Sequence, residues 1–393
     1  MRAEAELVLC AVQREVGTEQ ADDTLASLLQ KNLDWKAVAN LATRNGVLPL
    51  AYRRLNTVVA DRGLSPLPEH LKTLFHVNAV RSRHLAAELL RLLKLLEGQG
   101  VTAIPFKGPT LAVLLHGDVI MRQFVDLDLF VRRSDVIRAA EVLMAAGYRT
   151  EFDCREALNT DFFDAYENEF VSPQSLATID IHWAITPDAL PFGPSLERLW
   201  TRGQQSSLDG TPVRALAPPD LVHVLCLQGC RDGWDKLASV CSVAGLVERI
   251  PEERDWKLLV EEAREYRTYR MVLLGLCLAN RWLKAPLPPD VGDMISADRA
   301  ITSLAQRIGA GFFTYGNTRR MLEQWAQQFV VPLKVIETRP GRWRYCVVRF
   351  ARPTLRDGEF VRLPKPLFPL YYVLRPVRLL LAAVADLVKR LRR

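Results

Sequence analysis

The chain is 393 residues long, with 49% hydrophobic and 25% charged residues and a formal net charge of +7 at pH 7. This composition excludes a disordered chain, a collagen-like repeat and a small disulfide scaffold. Residues 341–393 carry 13 Lys and Arg against 3 Asp and Glu, a sum of +10, so the first 340 residues sum to −3. Because the positive charge is confined to the C-terminus, the pattern does not favour a chain that binds nucleic acid along its length.

The seven cysteines are scattered and lie mostly in apolar, helix-like sequence. An odd number of apolar cysteines favours free thiols in a reducing compartment. Cys226 and Cys230 share a helical face, but no second pair completes a set of zinc ligands. Residues 1–19 include acidic residues, and no uncharged apolar run is long enough to span a bilayer. These features predict a cytoplasmic protein.

Residues 1–98 are predicted to form an N-terminal helical region. Leucines recur there at spacings of three and four residues, for example from Leu85 to Leu96. This periodicity is typical of helices that bury one face. Gly98 and Gly100 end the pattern, and the character of the sequence then changes.

Residues 99–186 alternate short apolar runs with helical segments and are predicted to form a small α/β core. Gly108-Pro109 opens the first helix, since proline suits the first helical turn, and Gly117 ends it. A second helix begins after Ser134-Asp135 and stops at Gly147. The strands are predicted over residues 101–106, 124–131, 148–154, 167–172 and 178–185.

The rest of the chain is predicted to be helical. Residues 187–300 form a helical domain with proline-rich joints, such as Pro218-Pro219, and residues 301–393 form a basic, apolar helical tail. The predicted fold class is therefore α+β, with a small mixed-sheet core embedded in a mostly helical protein.

The last helix of the tail is predicted to begin at Pro376, with a broad apolar face and terminal charges such as Lys389 and Arg393. Such a helix can dock on its own protein or lie on an anionic membrane surface, and nucleic acid is a weaker alternative. Charged residues interrupt the helix too often for it to span a membrane. The sequence therefore leaves docking on the protein and peripheral membrane contact both open.

Asp126 and Asp128 are the most informative residues of the predicted core. Residues two apart on a strand point to the same face, so both carboxylates project together while Leu127 and Leu129 enter the core. Two close carboxylates repel each other unless a cation lies between them. Mg²⁺ prefers hard oxygen ligands together with substrate phosphates. A lone Asp-x-Asp is also common on solvated strands. The neighbouring segments are therefore needed to decide between a metal site and a solvated strand face.

Two neighbouring segments favour a metal site. Lys107 and Gly108 place a cation at the N-terminus of a predicted helix, which attracts anions such as phosphate. Asp180 and His182 alternate with isoleucines, which puts both side chains on one face of a further strand. A third carboxylate completes the set that two-metal phosphoryl transfer uses. For His182 alone, a structural role remains the stronger interpretation.

These motifs resemble the bacterial uncharacterised nucleotidyltransferase family, within the DNA polymerase β-like nucleotidyltransferase superfamily. The resemblance depends on Lys107-Gly108-Pro109, Gly117-Asp118, the run from Arg122 to Leu129, and Asp180-Ile181-His182-Trp183. Segments around Leu33-Asp34-Trp35, Gly229–Trp234 and Tyr371-Tyr372 extend it over most of residues 25–380.

The resemblance implies an enzyme that transfers a nucleoside monophosphate from an NTP, such as ATP, to an acceptor. It also implies Mg²⁺ or Mn²⁺ as the cofactor. Carried over to this chain, it makes Asp126, Asp128 and Asp180 the catalytic and metal-binding carboxylates. The acceptor could be a small molecule, a sugar, a peptide or a protein.

The same resemblance implies which residues surround the phosphates of the nucleotide. Gly108 begins the phosphate-binding helix, with Lys107, Thr110 and Arg122 as further phosphate contacts. For Arg122, a salt bridge to a nearby aspartate is an equal alternative. The superfamily commonly has Gly-Ser where this chain has Gly108-Pro109. The contact of the serine hydroxyl with phosphate is therefore missing here unless Thr110 or Lys107 substitutes for it.

Two alternative functions stay open. A catalytically weak accessory binding protein on the same fold is favoured by the missing Gly-Ser and disfavoured by the complete set of three aspartates. A toxin-like nucleotidyltransferase that modifies tRNA or protein is the second alternative, although the core lacks the net positive charge that tRNA would need. The polar segment Arg231–Lys236 is predicted to be an interhelical turn, with an acceptor pocket as the alternative.

Overall fold

The computed structural model describes residues 2–13, 18–150, 154, 158, 166–172, 177–186, 193–250, 252–313 and 317–391. Within these residues, helices surround a four-stranded mixed sheet. The predicted α+β fold class is confirmed.

The N-terminal part of the chain is helical, as predicted. Asp34 begins the third helix, because its carboxylate accepts hydrogen bonds from the N–H groups of Lys36 and Ala37. The leucines between Leu85 and Leu96 that share one face of the long fifth helix are buried. The helices are α1 (Ala3–Val12), α2 (Glu19–Leu29), α3 (Trp35–Arg44), α4 (Leu48–Asp61) and α5 (Glu69–Gly98).

The central sheet contains four strands in the order β1-β2-β4-β3. β1 pairs antiparallel with β2, β2 pairs parallel with β4, and β3 pairs antiparallel with β4. Gly117 ends α6 in the left-handed region, with φ of 73°. The elements are β1 (Ala103–Pro105), α6 (Gly108–His116), β2 (Asp126–Val131), α7 (Val136–Ala145), β3 (Glu167–Val171) and β4 (Thr178–His182).

The two faces of this sheet differ in chemistry. Leu127, Leu129, Ile179 and Ile181 alternate along β2 and β4 and are buried in one apolar cluster with side chains of α5 and α7. The strand period of two places the remaining side chains on the opposite face. Burial of the apolar set therefore fixes the register that aims the polar set away from this core.

A second apolar cluster joins the N-terminal helices to the helices that follow the sheet. It also contains Phe106 and Phe130, so the sheet is packed on both sides around its polar centre. The division into regions 1–98, 99–186, 187–300 and 301–393 stays a prediction.

A β-hairpin interrupts residues 187–300, so the helical prediction was wrong there. β5 (Gln204–Leu208) and β6 (Thr211–Ala215) follow the short helix α8 (Leu196–Arg202). Asp209 and Gly210 join the strands with φ of 48° and 78°, the backbone of a type I′ turn. Leu208 and Val213 bury the hairpin against the sheet-side core.

Helices form the remainder of the described chain. Among these residues no helix is both long and apolar enough to cross a membrane. The helices are α9 (Pro218–Arg231), α10 (Leu237–Val247), α11 (Glu253–Glu265), α12 (Tyr269–Leu283), α13 (Pro289–Ala297), α14 (Arg299–Gly311), α15 (Asn317–Val335), α16 (Arg339–Phe350), α17 (Leu355–Phe360) and α18 (Tyr371–Leu391).

The strand predicted over residues 148–154 was also wrong in its described part. Arg149 forms only an isolated antiparallel bridge with Val171, and residues 151–153 lie outside the described residues. The seven cysteines, all among the described residues, are thiols, as predicted. Cys226 and Cys230 are buried, and their thiols donate to the carbonyls of Val272 and Met271.

Candidate active site

The three predicted aspartates lie on the polar face of the central sheet. Asp126 and Asp128 are two residues apart on β2, and Asp180 lies directly beside Asp128 in the parallel register of β2 and β4. Residues that pair in register share a face, so the three carboxylates project to the same side. The structure therefore brings together the three residues that the sequence singled out.

Asp128 is buried, with 5% of its surface exposed, and two cationic groups contact its carboxylate. Lys107 Nζ lies 3.3 Å from Asp128 Oδ1, and His182 Nε2 lies 3.1 Å from the same oxygen. Burial acts to raise the pKa of Asp128, but Lys107 and His182 outweigh it and hold the pKa well below the usual range. Asp128 is therefore a stable anion at the centre of the site.

His182 links Asp128 to a second carboxylate. Its Nδ1 lies 3.2 Å from Glu167 Oε2 on the neighbouring strand β3. Phe106 and Phe130 contact the ring edge-on, with centroids at 5.2 and 5.8 Å. Burial acts to lower the pKa of His182, yet the hydrogen bonds to both carboxylates raise it above its ordinary value. This histidine is thus fixed in position on every side.

Asp126 and Asp180 carry negative charge that is less well compensated. Burial, followed by the charge of Asp128, raises the pKa of Asp126 above its ordinary value. The same two causes raise the pKa of Asp180 to about 7. Asp128, Asp180 and His182 can each offer a ligand atom within 4.8 Å of the others. A bound cation would offset the repulsion of Asp126 and Asp180 by the charge of Asp128.

The N-terminus of α6 begins beside these carboxylates. Gly108 adopts a φ of +54°, and a Cβ there would lie 3.5 Å from the carbonyl oxygen of Asp126. Because 3.5 Å is an ordinary contact distance, glycine is favoured here for the left-handed backbone that it permits. The first N–H groups of a helix have no partner within the helix, and Lys107 adds a positive charge beside them.

Thr110 and Arg122 form contacts within the protein around this helix start. The Thr110 hydroxyl donates to the carbonyl of Lys107 at 2.9 Å. Arg122 donates to Ser242 Oγ at 3.1 Å and to the carbonyl of Gly108 at 3.5 Å. Both side chains thus hold the turn that carries Gly108, and their contact with phosphate stays a prediction.

Sequence reasoning gave Glu167 no role in the site, and it gave Arg231 a role only in the alternative of an acceptor pocket. Glu167 contacts His182 and has Arg231 Nη1 at 3.8 Å, while Arg231 donates to the hydroxyl of Tyr166 at 2.9 Å. Lys236 also acts on the site, since its charge lowers the pKa of Asp126. The predicted turn between α9 and α10 therefore borders the carboxylates; its polar residues in an apolar helical region were the only local signal.

The protein has a small mixed sheet whose central strand carries two aspartates, and Lys107 and a helix N-terminus lie beside them. This arrangement is the one expected of a nucleotidyltransferase. The sequence model of the family described as uncharacterised nucleotidyltransferase matches residues 31–284. The chain belongs to this family, so the predicted resemblance and the predicted enzyme class, nucleotidyltransferase, are confirmed. Residues 285–393 lie outside the match.

Two further comparisons are less informative. No curated protein sequence matches the chain. Among solved structures, the chain is similar to the solution structure of the antibiotic-resistance factor ANT(2'')-Ia, at 13% identity and a TM-score of 0.34. That similarity covers 46% of this chain and 91% of the other.

Proposed function

We propose that the protein transfers a nucleoside monophosphate from an NTP to an acceptor, with Mg²⁺ or Mn²⁺ as cofactor. In this reaction a hydroxyl, amine or phosphate of the acceptor attacks the α-phosphorus. The bond between that phosphorus and the pyrophosphate breaks, and a hydroxyl or amine acceptor loses its proton. The observation that carries the proposal is the convergence of Asp126, Asp128 and Asp180 on one sheet face beside Lys107.

The side chains present fit a hard divalent cation. Asp126 and Asp180 supply carboxylate oxygens, and burial followed by repulsion from Asp128 raises the pKa of both groups. Asp128 supplies a third carboxylate, of which one oxygen already accepts from Lys107 and His182. A cation held by these three residues would neutralise the negative charge of the triphosphate and of the leaving pyrophosphate.

The chain's own groups would then bind and orient the donor. Lys107 and the N-terminus of α6 favour the negative charge of the phosphates. Arg122 and Thr110 keep that helix start in place through their backbone contacts with Gly108 and Lys107. His182 and Glu167 hold the Asp128 carboxylate in one orientation, which a preorganised site requires.

The acceptor would approach from the side of β4 and β3. Of the three aspartates, Asp180 is the nearest to that side and could accept the proton that the acceptor loses. Arg231 and Lys236 border the same region and favour an acceptor with negative or polar groups. We place the reaction in the cytoplasm, a compartment that supplies NTP and keeps free thiols reduced.

A thermal-shift experiment tests this proposal. The wild-type protein and the double variant Asp126→Asn/Asp128→Asn are melted with ATP, GTP, CTP and UTP, each with and without Mg²⁺ or Mn²⁺. Glu97→Gln is the matched control, because this exposed carboxylate lies on α5, whose buried leucines pack on the apolar face of the sheet, away from the three aspartates.

A metal-dependent rise in Tm for at least one NTP, retained in Glu97→Gln and lost in the double variant, supports the proposal and names the donor. The labelled donor can then be used to find the acceptor. If the wild type shows no rise with any NTP, the proposal fails and the accessory binding protein on the same fold becomes the better explanation.

A further inference from the structure

Exposed apolar side chains are concentrated at the C-terminal end of the described chain. More than half of the large apolar side chains that are exposed among the described residues lie between residues 343 and 381. This segment lies outside residues 31–284, which the family model matches. Apolar surface of this extent marks an interaction site in a folded protein.

The exposed apolar residues form two stripes at helical spacing. On α16, Trp343, Val347 and Phe350 are exposed, with Trp343 at 73%. On α18, Val373 and Leu380 are exposed at 66% and 67%, and Val377 and Leu381 continue the same stripe. Positions separated by three, four and seven residues share one face of a helix. We call these seven side chains the apolar stripes.

The opposite face of α18 buries a charged side chain, that of Arg375. Tyr371 and Arg375 are buried at 1% and 4% exposure. Arg375 Nη1 lies 2.8 Å from Asp357 Oδ2 on α17, and its Nη2 donates to the carbonyl of Arg349 at 3.0 Å. A water-facing helix buries its apolar face and exposes its charged one. Over residues 371–381, where the structure describes its side chains, α18 does the reverse, so this part of its outer face suits an apolar environment better than water.

The charge of this segment narrows the choice of partner. Residues 339–381 contain ten Lys and Arg against two Asp and Glu, and Arg339, Arg344 and Arg362 are exposed. A second copy of the chain would bring like charges together, which opposes self-association through this surface. An anionic lipid surface offers both an apolar layer for the stripes and negative headgroups for the arginines.

We propose that the apolar stripes of α16 and α18 lie in the surface of an anionic lipid bilayer. The helices rest on the membrane and do not cross it. Trp343 belongs at the level of the headgroups, where an indole ring meets both apolar and polar surroundings. The contact would hold the carboxylate site close to the membrane, and it does not depend on the proposed nucleotide chemistry.

Vesicle sedimentation with the full-length protein tests this inference. Vesicles of phosphatidylcholine with phosphatidylglycerol are compared with vesicles of phosphatidylcholine alone. Val373→Glu/Val377→Glu removes part of the stripe on α18. Val77→Glu/Val80→Glu is the matched control, because these valines on α5 are exposed at 62% and 70%. Melting curves show whether each variant is folded.

We expect the wild type to pellet with the anionic vesicles only and to be released by salt. The Val373/Val377 variant should bind at least about tenfold more weakly, since two apolar side chains lose their burial. Arg344→Gln should bind about fivefold more weakly, from about 1 kcal/mol per basic residue near the surface. The Val77/Val80 control should bind as the wild type does.

Three outcomes would overturn the inference. The wild type fails to bind anionic vesicles, or the variant at Val373 and Val377 binds them as tightly as the wild type. In the third, the same variant converts a dimer in solution to a monomer, which would assign the stripes to a second copy. The double variant at Asp126 and Asp128 should bind vesicles normally, so failure of the nucleotide proposal and failure of this inference are distinguishable.

Discussion

Replacing Asp180 with asparagine should stabilise the metal-free protein. Asp180 lies beside Asp128 in register, and burial together with that charge raises the pKa of Asp180 from 3.8 to about 7. Keeping it ionised in the folded protein therefore costs free energy. The neutral amide of Asp180→Asn has a similar shape and escapes this cost.

The size and sign of the effect follow from the pKa. Raising the pKa of Asp180 from 3.8 to about 7 lowers the free energy of unfolding by at most about 4 kcal/mol at high pH. Asp180 is partly exposed, so water screens part of the repulsion and we expect about 2 kcal/mol. Because the folded pKa is raised, the penalty is absent near pH 4, grows as pH rises, and is complete above pH 7.

Urea denaturation in EDTA measures this prediction. The free energy of unfolding is determined for the wild type and for Asp180→Asn from pH 4 to pH 8. The advantage of the variant should appear only as pH rises, and Mg²⁺ with NTP should stabilise the wild type alone. Glu97→Gln is the control, since its exposed carboxylate on α5 lies away from Asp180 and should contribute little. A variant that is no more stable than the wild type at pH 8, or whose advantage does not vary with pH, would refute the reasoning.

The other predictions concern separate parts of the chain. His223 is buried at 1% exposure, and burial lowers its pKa to about 4, so the wild type should lose up to about 3 kcal/mol relative to His223→Gln as pH falls from 6.5 to 4 in urea denaturation. Gly108→Ala and Gly117→Ala should each cost about 1 kcal/mol in the same assay, since φ is +54° and +73°; only Gly108→Ala should also weaken NTP binding, because its backbone strain falls at the helix start beside the carboxylates. Asp357→Asn removes the buried partner of Arg375 and should cost about 3 kcal/mol locally, seen as faster amide hydrogen exchange in α18.

Each of these has a contradicting result. The first fails if the difference between the wild type and the His223 variant does not change with pH. The second fails if the Gly117 variant loses NTP binding as fully as the Gly108 variant. The third fails if exchange in α18 is unchanged by the Asp357 variant.

The local features of the core could be predicted because they depend on neighbouring residues. Alternation places Asp126 and Asp128 on one face of β2, and Gly117 ends α6 by adopting a left-handed backbone that glycine allows. The hairpin at residues 204–215 was missed although Asp209-Gly210 is a strong turn signal. Its first strand is short and rich in glutamine and serine, which have little strand preference, and its second strand contains Pro212, which disfavours a strand.

The contacts around the carboxylates could not be predicted, because they depend on strand order and on distant segments. His182 lies between Asp128 and Glu167 because β4 lies between β2 and β3. No single segment of the sequence determines this strand order. Arg231 reaches Glu167 from a helix far along the chain. Arg375 of α18 points into the protein because its partner Asp357 is buried there. The apolar pattern of the helix alone therefore did not show which of its faces is buried.

The central claim, that these aspartates hold a divalent cation together with a nucleotide, is tested most directly by Mn²⁺ binding. Free Mn²⁺ is followed by electron paramagnetic resonance as protein is added, with and without the NTP that gives the largest thermal shift. We predict that the NTP increases the affinity of the wild type for Mn²⁺, and that Asp126→Asn reduces that affinity at least about tenfold while Glu97→Gln leaves it unchanged. Equal Mn²⁺ affinity in the wild type and Asp126→Asn would contradict the claim.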